Sequence, residues 1–116
     1  EDAAHLASRW ESMARLYGPY MDMRAVETNF VEALRGGPFG HWGHHAVFSY
    51  DMDPVLPKIT QPVLVFRPKD GLEENTLQAK PLIKDVNVID LLGYGYGFME
   101  TQADEIAGYL RSFYDA

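Results

Sequence analysis

The first part of the chain repeats apolar residues at helical spacing. Between residues 2 and 17 apolar side chains recur every three or four positions, which predicts an amphipathic helix that ends at Gly18. A second helix is predicted to begin after Asp22, whose short carboxylate suits the N-cap position, and to end at Gly36. The aromatic-rich residues 39–50 are expected to contain a further short helix.

Beyond residue 60 the pattern changes to two short apolar runs, at residues 62–66 and 86–92. The first run is not interrupted by polar residues, which is typical of strands that are covered on both faces, as in parallel sheets. Helices are predicted at residues 72–83 and from an N-cap at Thr101 to the end of the chain. The order predicts an α/β fold: a helical segment over residues 1–55, followed by a βαβα unit over residues 56–116.

Composition narrows the class of protein. Ten basic and seventeen acidic residues give a net charge of −7, which argues against binding to nucleic acid or to an anionic membrane. Cysteine is absent, which excludes disulfides and thiolate chemistry. No apolar run approaches the roughly 20 residues that cross a bilayer. We therefore expect a cytoplasmic protein without a cofactor.

Residues 56–116 carry motifs that resemble a known family. Residues 56–65 read L-P-K-I-T-Q-P-V-L-V, an acid follows at Asp70, and the second apolar run leads into G-Y-G-F-M-E at residues 95–100. This order resembles the C-terminal part of an α/β-hydrolase. In that family a helical lid precedes the last two strands, the penultimate strand ends at the catalytic acid, and the last strand leads to a Gly-His pair. The resemblance extends over residues 56–113.

The resemblance implies a helical lid followed by the final βαβα unit of a parallel hydrolase sheet. It places Asp70 at the position of the triad acid and Tyr96 at the position of the family's histidine. It also implies descent from enzymes that hydrolyse an ester, an amide or a related bond in a small apolar substrate. Residues 1–55 would correspond to the lid, which is variable in this family.

Two departures from the family pattern change the expected chemistry. A phenol, with an ordinary pKa near 10, is protonated at pH 7 and cannot replace the imidazole as a general base. None of the four serines lies in the G-x-S-x-G elbow that exposes the family's nucleophile. We therefore expect this chain not to turn over a substrate by itself.

The helical segment offers further candidate residues. Phe39, Trp42 and Phe48 are predicted to line an apolar substrate pocket beneath the lid, although they would equally suit the lid's own core or a partner surface. His41 and His45 would share a helix face, but zinc needs three or four ligands, so no metal site is predicted. Asp70 followed by Gly71 is also an ordinary turn pair, and that interpretation is compatible with the catalytic position.

A sheet of two strands has two unpaired edges, and three or more strands are usually needed for stability. We expect either oligomerisation or a further N-terminal part of the protein to complete this sheet. The sequence thus leaves two functions open. One is the C-terminal part of an α/β-hydrolase-like protein. The other is a non-catalytic module derived from a hydrolase, which forms a homo-oligomer or binds a small apolar molecule.

Overall fold

The structure is a computed structural model that describes residues 3–116. The chain forms two compact units, which are divided between Tyr50 and Asp51. The helices and strands, in chain order, are α1 (Ala4–Tyr17), α2 (Met23–Arg35), α3 (Trp42–Ser49), β1 (Val63–Pro68), α4 (Glu73–Ala79), β2 (Val86–Leu91), α5 (Phe98–Thr101) and α6 (Ala103–Tyr114).

The first unit contains α1, α2 and α3. Trp10 of α1 packs edge-on against Phe30 of α2, with ring centroids 5.4 Å apart. Val26 is fully buried, and the Arg9 guanidinium donates a hydrogen bond to the main-chain carbonyl of Ala33. The predicted apolar faces of α1 and α2 therefore pack against each other.

The N-cap of α2 is the predicted one. The main-chain N–H of Ala25 donates to Asp22 Oδ1 at 2.8 Å, which satisfies a donor that the first helical turn leaves unpaired. The glycines that follow α1 and α2 do not adopt the left-handed conformation that commonly ends a helix. Gly18 and Gly36 keep right-handed helical angles, and Gly37 adopts the positive φ of 51°. The helices stop before Pro19 and Pro38, which cannot continue the hydrogen-bond ladder.

In the second unit β1 and β2 form a parallel pair, as the two apolar runs predicted. The register places Val63 beside Val86 and Val65 beside Val88. Strand β1 extends to Pro68, two residues beyond the apolar run, because the cross-strand pairing continues past it.

The two faces of this sheet differ in their covering. On one face Phe66 contacts the rings of Phe98 and Tyr109, so α5 and α6 pack there. Leu91 and Ile106 are buried in the same unit. On the other face the valines of both strands, together with α4, line an open apolar cavity. The parallel strands thus have helices over both faces, which is an α/β arrangement of mixed helix and strand.

Two predicted helices are wrong in detail. The helix predicted at residues 72–83 ends at Ala79 and continues only as a 3-10 turn over Lys80–Leu82, because Pro81 lacks the N–H that an α-helix needs. Thr101 is not an N-cap. It is the last residue of α5, and its hydroxyl donates to the carbonyl of Gly97.

None of the helices in residues 3–116 combines the length and the apolar character needed to cross a membrane.

Shortening the buried side chain of Ile106 in α6 tests the packing of the second unit. Ile106 is only 3 % exposed, so Ile106→Ala should lower the free energy of unfolding by about 2–5 kcal/mol. Tyr114→Ala on the same helix removes a side chain that is 80 % exposed, and should change it by less than about 0.5 kcal/mol. Urea denaturation followed by circular dichroism measures both. Equal effects of the two substitutions would contradict this packing.

Candidate functional site

The candidate site lies where β1 and β2 end. Both strands run in the same direction, so the loops that follow Pro68 and Leu91 lie at one edge of the sheet. The main-chain N–H of Lys69 donates to the carbonyl of Tyr94 at 2.7 Å. This hydrogen bond joins the two loops beyond the end of the ladder and sets their spacing.

Asp70 forms a tight turn in the first loop. Its Oδ1 accepts a hydrogen bond from the main-chain N–H of Leu72 at 2.9 Å. Gly71 has φ of 87°, a conformation that side-chain-bearing residues rarely adopt. The Asp-Gly turn that the sequence suggested is therefore present, and it holds one carboxylate oxygen against the main chain.

Tyr96 reaches across from the second loop to the first. Its half-buried hydroxyl donates a hydrogen bond to the main-chain carbonyl of Asp70 at 2.6 Å. The structure thus brings together the two residues that the resemblance places at the acid and histidine positions. Their descent from a catalytic pair remains a prediction. In this geometry the phenol acts as a hydrogen-bond donor that ties the loops together.

The glycines of the second loop do not all serve the same purpose. Among Gly93, Gly95 and Gly97, only Gly97 has a positive φ, at 75°, where it precedes α5. Of these three positions, only position 97 therefore requires the conformational freedom of glycine.

Tyr94 contacts α6. Its hydroxyl donates to Glu105 Oε2 at 2.6 Å, and the hydroxyl of Tyr109 donates to the other carboxylate oxygen at 3.3 Å. The hydrogen bond to Glu105 raises the pKa of Tyr94 above its ordinary value, and partial burial adds to this effect. Tyr94 therefore stays protonated at neutral pH and does not act as a base.

An ion pair crosses the sheet between Arg67 and Asp90, which are register partners. Arg67 is 8 % exposed, and its Nε donates to Asp90 Oδ1 at 2.6 Å. This hydrogen bond lowers the pKa of the Asp90 carboxyl and raises that of the Arg67 guanidinium. The sequence analysis missed this pair. Its only local signal is a charged residue at the fifth position of each strand.

The open face of the sheet carries a cavity of about 380 Å³, which the sequence analysis also missed. Nearly all of its lining atoms are apolar, and Lys80 is the one charged residue in the lining. The lining comes from the sheet, from α4 and from the segment that precedes β1: Met52, Leu56, Ile59, Val63, Val65, Leu72, Asn75, Thr76, Ala79, Lys80, Ile83, Val86 and Val88. Its size falls within the roughly 300–1,000 Å³ of small-molecule sites.

The predicted lid aromatics belong to the first unit and do not line this cavity. Phe39, Trp42 and Phe48 are 60 %, 61 % and 72 % exposed, and the rings of Phe39 and Trp42 pack edge-on at 4.8 Å. Their assignment to a substrate pocket remains a prediction. His41 and His45 share a face, and both line a shallow hollow beside Trp42. Within residues 3–116 no three metal-ligating side chains are close enough to hold a metal ion.

The ion pair between Arg67 and Asp90 should make stability depend on pH. Because the folded-state pKa of Asp90 is lowered, the pair contributes its full stability above the unfolded-state pKa of about 4 and loses it as the pH falls through the lowered value. Asp90→Asn should therefore reduce the urea midpoint at pH 7, and the difference from wild type should shrink below about pH 4. Asp85→Asn, beside β2, serves as the control. A midpoint difference for Asp90→Asn that stays constant from pH 7 to pH 3 would contradict the assignment.

Comparison of the chain with protein-family models, with curated proteins and with solved structures gave no significant match. The likeness to α/β-hydrolases therefore depends on the motifs of residues 56–113. The parallel strands and the contact between Asp70 and Tyr96 are compatible with that likeness.

Proposed function

We propose that residues 56–116 are the C-terminal βαβα segment of an α/β-hydrolase-like scaffold whose acid and histidine positions now hold a structural pair. The observation that carries the proposal is the 2.6 Å hydrogen bond from Tyr96 to the carbonyl of Asp70, at the carboxyl edge of two parallel strands. Residues 1–55 take the place of the lid in this proposal.

The chemistry of this pair supports a non-catalytic role for the chain as it stands. In a catalytic member of the family, the acid orients an imidazole that accepts and returns the nucleophile's proton. Here the hydroxyl of Tyr96 donates a hydrogen bond to the main-chain carbonyl of Asp70, and Asp70 Oδ1 accepts a hydrogen bond from the main-chain N–H of Leu72. The pair joins the two loops at the positions where a hydrolase of small apolar esters or amides would carry its acid and histidine, but it supplies no general base.

A second candidate function is the binding of a small apolar molecule, and the cavity on the open sheet face favours it. The four valines that line it lie on rigid strands, while Leu72, Thr76 and Ala79 approach from the loop and α4. Apolar walls with a few polar groups at the rim are typical of ligand sites that bind through the hydrophobic effect. The ligand would be an uncharged or weakly polar molecule about the size of a naphthyl ester.

The partner in this proposal is a further copy of the chain. Each strand pairs on one side only in the two-stranded sheet, and unpaired strand edges attract further strands. A homo-oligomer would complete the sheet without any other protein.

Substitution of Tyr96 by histidine tests the acid–histidine register. In Tyr96→His the imidazole would lie beside the Asp70 carboxylate, which should raise the histidine pKa by roughly one unit or more above 6.5. Asp70→Asn in the same background should return the pKa towards its ordinary value. Both values follow from NMR titration of the imidazole protons.

Comparison with the wild-type spectra separates the imidazole signals of position 96 from those of the four native histidines. An imidazole at position 96 whose pKa does not respond to Asp70→Asn would overturn the proposed register.

A naphthyl ester tests binding and turnover together. We expect 2-naphthyl acetate to shift the amide resonances of Val65 and Val88, and to be hydrolysed no faster than in buffer. Ala79→Phe should abolish the shifts because the larger ring fills the cavity. Gln78→Phe, on the same helix but outside the lining, should leave them unchanged.

Circular dichroism confirms that both variants fold. Shifts that persist in Ala79→Phe would exclude the cavity as the binding site, and hydrolysis by the wild-type chain would contradict the non-catalytic proposal.

A further inference from the structure

The hydrogen bonds between the strands determine which main-chain groups point away from the sheet. Val63 donates its N–H to the carbonyl of Asp85 at 2.9 Å, so residues 63, 65 and 67 of β1 face β2. Successive residues of a strand turn their N–H and C=O groups to opposite edges. The outward groups are therefore those of Leu64, Phe66 and Pro68 on β1, and those of Val86, Val88 and Asp90 on β2.

The two edges are not equivalent. Pro68 has no N–H, so it removes one outward donor from β1, and prolines of this kind discourage edge pairing. All three outward residues of β2 retain a donor and an acceptor, and β2 contains no proline. Within the described residues 3–116, β2 pairs with β1 alone. The edge of β2 is therefore the better template for another strand.

The sequence of β2 is complementary to itself in one antiparallel register. Around a two-fold axis, outward residues pair only with outward residues, so even-numbered positions lie opposite even-numbered positions. With the axis at Asn87, Val86 lies opposite Val88 of the second copy. Lys84, two residues before β2, would lie opposite Asp90 where the antiparallel pairing continues past the strand end. This register places two opposite-charge pairs across the interface and opposes no like charges.

The side chains leave room for that arrangement. The carboxylate of Asp90 is 58 % exposed although it accepts a hydrogen bond from Arg67, so its second oxygen can meet a further cation. Lys84 and Asn87 are exposed. At the axis, the Asn87 amides of two copies can donate to and accept from each other.

We infer that the outer edge of β2 is a self-association site, where two copies of the chain pair antiparallel about Asn87 to form a continuous four-stranded sheet. The inference deepens the self-association part of the proposed function by naming its surface and register. It does not depend on descent from a hydrolase. The paired sheet exceeds the three strands that independent stability usually requires, and it joins the valine-lined faces of both copies.

Engineered disulfides test the register, because the chain has no cysteine of its own. In the proposed dimer Asn87 forms a non-hydrogen-bonded pair with its own copy, with Cα atoms about 4.5 Å apart, which suits a disulfide. The Val88 positions of two copies are diagonal neighbours roughly 7–8 Å apart, which is too far. Under mild oxidation at micromolar concentration, Asn87→Cys should form a covalent dimer at least roughly tenfold faster than Val88→Cys or the exposed control Gln78→Cys.

Sedimentation equilibrium of the wild-type chain should show a dimer. Val88→Pro, which removes an outward N–H of β2, should yield folded monomer by sedimentation and circular dichroism, whereas Leu64→Pro on the β1 edge should remain dimeric.

A monomeric wild type, or equal cross-linking rates for the three cysteine variants, would overturn the inference. The histidine titration at position 96 is independent of these results, so failure of this inference and failure of the hydrolase-like register are distinguishable.

Discussion

Parallel pairing of β1 and β2 is the constraint on which the second unit depends. Pairing in one direction brings the carboxyl ends of both strands to the same edge, and the hydrogen bond from Lys69 to Tyr94 continues the spacing into the loops. The contact between Tyr96 and Asp70 follows from that spacing. The same register places Arg67 beside Asp90, so the guanidinium is paired although its side chain is largely removed from water.

A sheet of two strands cannot bury both of its faces and both of its edges. One face is covered by α5 and α6 through Phe66, whereas the valines of the other face remain half-buried around the cavity. Apolar surface left in this state favours a ligand, a further copy or a further part of the scaffold. The proposal for ligand binding follows from the uncovered apolar face, and the proposal for edge pairing follows from the unpaired main-chain groups of β2.

Tyrosine at position 96 changes the chemistry of the loop pair without separating the loops. A histidine there could accept a proton from a nucleophile, whereas the phenol donates a hydrogen bond to the carbonyl of Asp70. The phenol thus supplies a direct hydrogen bond between the two loops. Under the proposed descent from a hydrolase, the loops would keep their arrangement although the reaction is lost.

The sequence by itself determined the elements whose causes are local. The N-cap at Asp22, the strand runs and the turn at Asp70 depend on side chains within a few residues, and the structure confirms each of them. It also placed Asp70 and Tyr96 on adjoining loops, because the order of strand and helix predicts parallel pairing. Tertiary structure alone decided the partner of Arg67 and the cavity. These depend on register and on which helix covers which face, and both are set by contacts between residues far apart in the chain, which leave little trace in local spacing.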